Sequence, residues 1–154
     1  GMLLPKTYKI SRSIVIKASD SVVYMNVADM NNFLKWNPWT KMEPEAKVTI
    51  SGTPAQVGHL WEWMGKKTGS GQMELIKANP YTLTEFQLSF LEPFESRAIC
   101  GFTFNKSDEG TEVEWYMSGE ANSIPDRWMG LSMDMMMDKD FTSGLKALKE
   151  LSEQ

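Results

Sequence analysis

The apolar positions of this 154-residue chain change their spacing several times, and each change marks an element. From Tyr8 to Lys17 they alternate, with Tyr8, Ile10, Ile14 and Ile16 on one face, which predicts a strand. Ser19-Asp20-Ser21 offers N-cap chemistry for a short helix through Val22, Val23 and Val27. A second short helix is predicted from Asp29 through Phe33, Leu34 and Trp36. It ends at Asn37, because Pro38 disfavours a helical residue before it. Alternation returns in Ala46–Ser51, Gly58–Lys66, Gly71–Ala78, Thr82–Leu91, Ser96–Asn105 and Thr111–Gly119, separated by turns rich in Gly, Pro, Asn and Asp. Ser123 and Pro125 suit the start of a last, long helix that runs to about Leu151.

One strand, two short helices, six strands and a long helix predict an α+β fold. In it a strongly bent seven-stranded antiparallel sheet wraps around the C-terminal helix. Parity sorts the strand residues into two faces. One carries His59, Trp61, Trp63, Met73, Leu75, Phe86, Leu88, Phe90, Cys100, Phe102, Phe104, Val113, Trp115 and Met117. The other carries Glu62, Glu74, Glu85, Gln87, Glu112 and Glu114. The aromatic face is expected to look towards the helix and the glutamate face towards water.

The long helix is itself divided. Phe141, Leu145 and Leu148 form a buried stripe in its back half. Extended towards the N-terminus, the same stripe carries Met137, Asp134, Gly130 and Arg127. Five of the chain's 12 methionines lie between Met129 and Met137. Such a helix is expected to pack at one end and line a cavity at the other.

Composition narrows the function classes. At 42% apolar and 23% charged residues the chain reads as one globular domain over residues 2–154, with Gly1 as a cloning remnant. A net charge of −4 argues against a nucleic-acid partner and against a basic membrane-binding face. With Cys100 as its single cysteine the chain forms no internal disulfide, which points to a reducing, cytoplasmic setting. A single histidine and the lack of CxxC or HExxH argue against a metal, and no cofactor is implied. No run reaches the ~18 apolar residues of a membrane span, so stable membrane insertion is not expected.

Six segments carry a resemblance. They are RSIVIKAS (Arg12–Ser19), DMNNFLKWNPW (Asp29–Trp39), GSGQM (Gly69–Met73), FLEPF (Phe90–Phe94), GTEVEWYMSG (Gly110–Gly119) and DFTSGLKALKELSE (Asp140–Glu153). In order and spread, the set resembles the START-like (helix-grip, SRPBCC) superfamily, and within it the polyketide cyclase/dehydrase and lipid-transport branch. The resemblance implies a helix-grip fold with an internal cavity between sheet and C-terminal helix. It leaves activity open, because the superfamily includes carriers, receptors, cyclases and chaperone activators.

The candidate chemistry has alternatives at every position. Met133 and Met137 lie on or beside the inner stripe, where a thioether wall adapts to varied ligands or simply fills core. Arg127 could hold a carboxylate or enolate-like oxygen, and Asp134 could accept from a hydroxyl or act as a base. Both, with Asp138, could equally form an ion pair at the solvated front of the helix. His59 could serve acid–base catalysis or stand as an edge or surface histidine. Trp61, Trp63, Met73, Phe86, Phe102, Trp115 and Met117 are expected to form a ligand-contacting wall that is also core. The even spread of glutamates reads as a solvated face, and Cys100 as a small buried hydrophobe.

The leading expectation is binding of a hydrophobic or amphipathic small molecule (a lipid, polyketide-like or aromatic compound) in the internal cavity. A polyketide cyclase/dehydratase using Arg127, Asp134 or His59 is the alternative, and a chaperone-activator-like interaction module is the third. A homodimer is left open.

Overall fold

The computed structural model describes residues 7–66, 69–92, 96–120 and 126–154, with side chains described for 9–66, 69–91, 97–119 and 139–154. The chain order is β1 (Thr7–Ile16), α1 (Asp20–Ala28), α2 (Met30–Phe33), α3 (Pro38–Met42), β2 (Lys47–Ser51), β3 (Leu60–Met64), β4 (Ser70–Asn79), β5 (Leu83–Glu92), β6 (Ser96–Ser107), β7 (Gly110–Glu120) and α4 (Asp126–Ser152). All neighbouring strands are antiparallel in a seven-stranded open sheet of order β1-β7-β6-β5-β4-β3-β2. Register shifts at Ser70/Gly71 and Leu75/Lys77 place bulges in β4, which bend the strand and deepen the curvature of the sheet. With α4 against it, this is the helix-grip architecture. The strands are unequal: β2 and β3 have 5 residues each, and β6 has 12.

Local chemistry sets the helix boundaries. Ser19 caps α1 by accepting from the amide of Val22, and Asp29 caps α2 by accepting from that of Asn31. Three short helices stand where two were expected. Asn37-Pro38 does end the preceding turn, but it also starts α3. Asn37 is extended (φ −70°, ψ 144°), the conformation that both a pre-proline residue and an N-cap adopt, and its Oδ1 accepts from the amide of Thr40 at 3.0 Å. Pro38 then occupies the first helical turn, where its missing N–H costs nothing.

The two sheet faces are as parity predicts. Trp61, Met73, Leu75, Phe86, Leu88, Cys100, Phe102, Phe104, Val113, Trp115 and Met117 are buried, and Glu62 and Glu112 are exposed. In α4, Phe141, Leu145 and Leu148 are fully buried and grip the sheet, with Phe141 stacked on Trp115 at 4.1 Å between ring centroids. Gly144 permits that approach, since a Cβ there would lie 2.8 Å from the Trp115 ring. The Asn26 amide donates to Ser152 Oγ at 3.0 Å, and Glu153 accepts from the backbone amide of Lys17 at 2.8 Å, so the end of α4 is tied to α1 and β1.

Candidate functional site

Strand pairing lays side chains out in rows across the concave face. One row runs Val48, Trp63, Gly71, Phe90 over β2 to β5; the next runs Ile50, Trp61, Met73, Leu88. Within them Trp61 and Trp63 sit 4.8 Å apart, and Phe90 meets Trp63 edge to face at 6.0 Å. Gly71 leaves that space open, because a Cβ there would run into the Trp63 ring and come within 2.6 Å of the Ser89 carbonyl oxygen. Alternation therefore builds an aromatic floor, and one glycine shapes it.

Opposite this floor lie α3 and the segment after it. Trp39, Thr40, Met42, Glu43, Pro44 and Ala46 face Val48, Trp61, Trp63, Met73, Leu88 and Phe90 across a cavity of about 240 Å³. Trp39 is fixed from two sides: its indole N–H donates to the carboxylate of Asp140 in α4, and its ring meets Trp115 edge to face at 5.7 Å. Burial raises the Asp140 pKa from its ordinary value, opposed by nearby Lys139 and by the Trp39 hydrogen bond. Met42 and Val48, both exposed, line the cavity from its open side.

The polar content of the wall is small. Thr40 Oγ1 accepts from Asn37 Nδ2 at 2.6 Å. Glu43, only 4% exposed, accepts at Oε2 from the backbone amide of Lys66 at 2.8 Å. The indole N–H of Trp61 is buried and has no hydrogen-bond partner among the described residues. Among the described residues no group of three or more His, Cys, Asp or Glu comes together as a metal site.

The sequence-predicted residues divide into three sets. Trp61, Trp63 and Met73 line the cavity. Phe86, Phe102, Trp115 and Met117 share their face but lie in packed core. Phe33 covers Phe86 and Phe102 at 6.2 and 6.3 Å, Trp36 covers Trp115 at 5.6 Å, and Met117 is fully buried opposite Cys100 and Ile10. The side chains of Arg127, Met133, Asp134 and Met137, like those of Met129, Met135, Met136 and Asp138, lie outside the described residues, as do Ser123 and Pro125.

His59 corrects the expectation of an edge or surface residue. It is fully buried just before β3, and both ring nitrogens are engaged: Nε2 accepts from the amide of Met30 at 3.0 Å, and Nδ1 lies 2.9 Å from the Ser51 carbonyl oxygen. This fixes the tautomer with the proton on Nδ1 and leaves neither nitrogen for a substrate. The residue staples the start of α2 to the end of β2. Cys100 is also inert, its pKa pushed up to about 12 by burial, although the Trp115 indole donates to its sulfur at 3.0 Å and pulls the other way.

Sequence reasoning missed the α3 side of the cavity: Trp39, Thr40, Met42, Glu43, Pro44 and Ala46. The signal available was Asn37-Pro38 as a helix start, which would have aimed Trp39 at the aromatic face. Leu88 and Phe90 were on the predicted face but were not singled out, and Val48 was assigned to neither face.

The sequence family described as polyketide cyclase / dehydrase and lipid transport matches residues 7–153. The chain belongs to this family. No curated protein is significantly similar to this family member in sequence. Solved structures are similar to it in fold. Protein CV1439 from Chromobacterium violaceum has a TM-score of 0.69 at 18% identity, over 95% of this chain and 97% of that one. The Aha1 dimer from Colwellia psychrerythraea has 0.65 at 20%, over 95% and 96%. The di-domain ARO/CYC StfQ from the steffimycin biosynthetic pathway has 0.69 at 7%, over 96% of this chain and 51% of that one. The family's description covers polyketide cyclisation or dehydration and lipid transport, and the neighbours bear out the fold. No helix among the described residues is long and apolar enough to cross a membrane.

Proposed function

We propose that this protein binds a hydrophobic or amphipathic small molecule between α3 and the concave face of β2–β5. The observation that carries the reading is the cavity wall itself, whose tryptophans, phenylalanine and methionines outnumber its polar side chains, Thr40 and Glu43. Its volume of about 240 Å³ lies just under the range of roughly 300–1,000 Å³ common for small-molecule sites, which suits a compound of up to three rings or an acyl chain of similar bulk. Burying roughly 450 Å² of apolar ligand and wall surface at about 25 cal/mol per Å² supplies about 11 kcal/mol, from which an association cost of about 4 kcal/mol is subtracted. Arg127 or Asp134 as a polar anchor remains part of the proposal, as does a cytoplasmic setting.

The test is a fluorescence titration with N-phenylnaphthylamine. Wild type is expected to bind one molecule per chain at roughly 10 µM, the affinity of about 7 kcal/mol. Ala46→Phe, which projects a ring into the cavity, is expected to weaken binding at least tenfold while leaving the melting temperature unchanged. Undiminished binding by this variant would mean that the probe sits elsewhere, and the reading would fall.

A second reading, cyclisation or dehydration of a polyketide-like substrate, is supported by one observation: a nearly buried carboxylate, Glu43, stands in the cavity wall. Under it, Glu43→Gln abolishes turnover of a poly-β-ketone substrate and retains its binding. Under the carrier reading no turnover is seen with either protein.

A further inference from the structure

Trp39 lines the cavity from α3, yet its side chain is held from behind by residues that take no part in the lining. Its ring meets Trp115 edge to face, and Trp115 is itself stacked on Phe141 of α4, the two ring planes 8° apart. Its indole N–H donates to the carboxylate of Asp140, one residue earlier in the same helix. Pro38, next to Trp39, comes up to Gly144, where a Cβ would lie 3.3 Å from the proline Cδ. Residues 140, 141 and 144 fall within about 100° of arc on α4, so a single face of that helix backs α3. A helix of 5 residues has little stability of its own, and the position of Trp39 therefore depends on these contacts. Asp140 is the polar one among them and is buried, a setting in which a hydrogen bond to a carboxylate is strong and its loss is costly.

We infer that Asp140 is a positioning residue for the cavity: without touching the ligand, it holds Trp39 in the orientation that forms the wall, and through this bond α4 sets how tightly the cavity binds. This inference rests on the cavity being the binding site. An indole has two side-chain torsions and a single donor atom, Nε1. Pinning that atom on Asp140 while the ring meets Trp115 leaves the side chain one orientation. A wall ordered in advance spares the ligand the entropy of ordering a large side chain as it binds.

Asp140→Leu replaces the acceptor by an apolar group of similar branched shape, Asp140→Asn keeps an acceptor oxygen, and Trp39→Phe removes the donor but keeps a ring. N-phenylnaphthylamine titration of these three and of the Trp39→Phe, Asp140→Leu double variant, with thermal unfolding of each, measures the coupling. Asp140→Leu is expected to weaken binding about five- to tenfold, since only the share of the hydrogen bond's energy that favours the bound form reaches the ligand. Asp140→Asn should stay within threefold of wild type. In the Trp39→Phe background Asp140→Leu should change affinity less than twofold, because no N–H is left to hold. By reciprocity, the probe must in turn favour the hydrogen bond. In wild-type protein the indole N–H signal absent from spectra of Trp39→Phe should therefore exchange more slowly with the probe bound, a readout that needs no variant to bind. Undiminished affinity in Asp140→Leu, equal loss in both backgrounds, an Asp140→Asn variant as weak as Asp140→Leu, or no slowing in wild type overturns the inference and leaves the cavity reading intact. Failure of wild type to bind, or undiminished binding by Ala46→Phe, overturns that reading and the inference with it.

Discussion

His59 illustrates how a chemically suggestive side chain is absorbed by structure. A lone imidazole on an aromatic face invites an acid–base role, yet here both nitrogens are taken by the backbone of two different elements. Replacing it with alanine leaves the Met30 amide and the Ser51 carbonyl unpartnered and opens a void. The expected loss is about 3 kcal/mol of unfolding free energy, read by urea denaturation. N-phenylnaphthylamine affinity of the folded variant should change less than threefold. Strong loss of affinity at unchanged stability would return His59 to the site. Its burial could be anticipated from parity; its partners could not, because they are backbone groups brought in from residues 8 and 29 positions away.

At the scale of elements, α3 decides where the cavity lies. Five residues long, it turns Trp39, Thr40 and Met42 onto the sheet, and its place depends on Asn37. That side chain is fully buried, accepts from the Thr40 amide, and donates to the Phe33 carbonyl at 3.3 Å and to Thr40 Oγ1. Asn37→Ala is expected to cost about 2 kcal/mol by thermal or urea unfolding and to weaken N-phenylnaphthylamine binding severalfold, because Trp39 and Thr40 lose their placement. Unchanged affinity would show that α3 is not part of the wall that matters. The strands and their faces were legible in the sequence because a period of two survives any curvature of the sheet. The helix α3 was not, because one turn of helix leaves no periodicity to read and proline signals both a stop and a start. Which stretch of the aromatic face is core and which is cavity was equally hidden. That depends on Phe33, Trp36 and Phe141 covering one end of the face and leaving the other to α3.

For the molecule as a whole, stability is distributed unevenly. Strands β4 to β7 and β1 run 10 to 12 residues and carry the fully buried aromatic core. The cavity sits at the other end, under the two 5-residue strands, with β2 at the edge of the sheet. Amide hydrogen exchange should therefore be fastest, among strand residues, in 47–51 and 60–64 of the free protein, and slowest in β6 and β7. A saturating ligand should slow exchange in 47–64 selectively. At a hundred times its Kd it should add about 2.7 kcal/mol to global stability. Uniform protection across the sheet would argue that the ligand binds somewhere other than this corner.

The separation of the cavity rows from the core rows has a consequence for how the protein can change over generations. Among the described residues, the strand side chains that line the cavity, Val48, Trp63 and Phe90 in one row and Trp61, Met73 and Leu88 in the next, are a different set from the Trp115 that Phe141 of α4 clamps. Substitutions in the first set can reshape the cavity while the clamped set goes on holding the fold. Such a division lets lineages reshape the cavity without first passing through an unstable ancestor, and it offers the same freedom to anyone redesigning it.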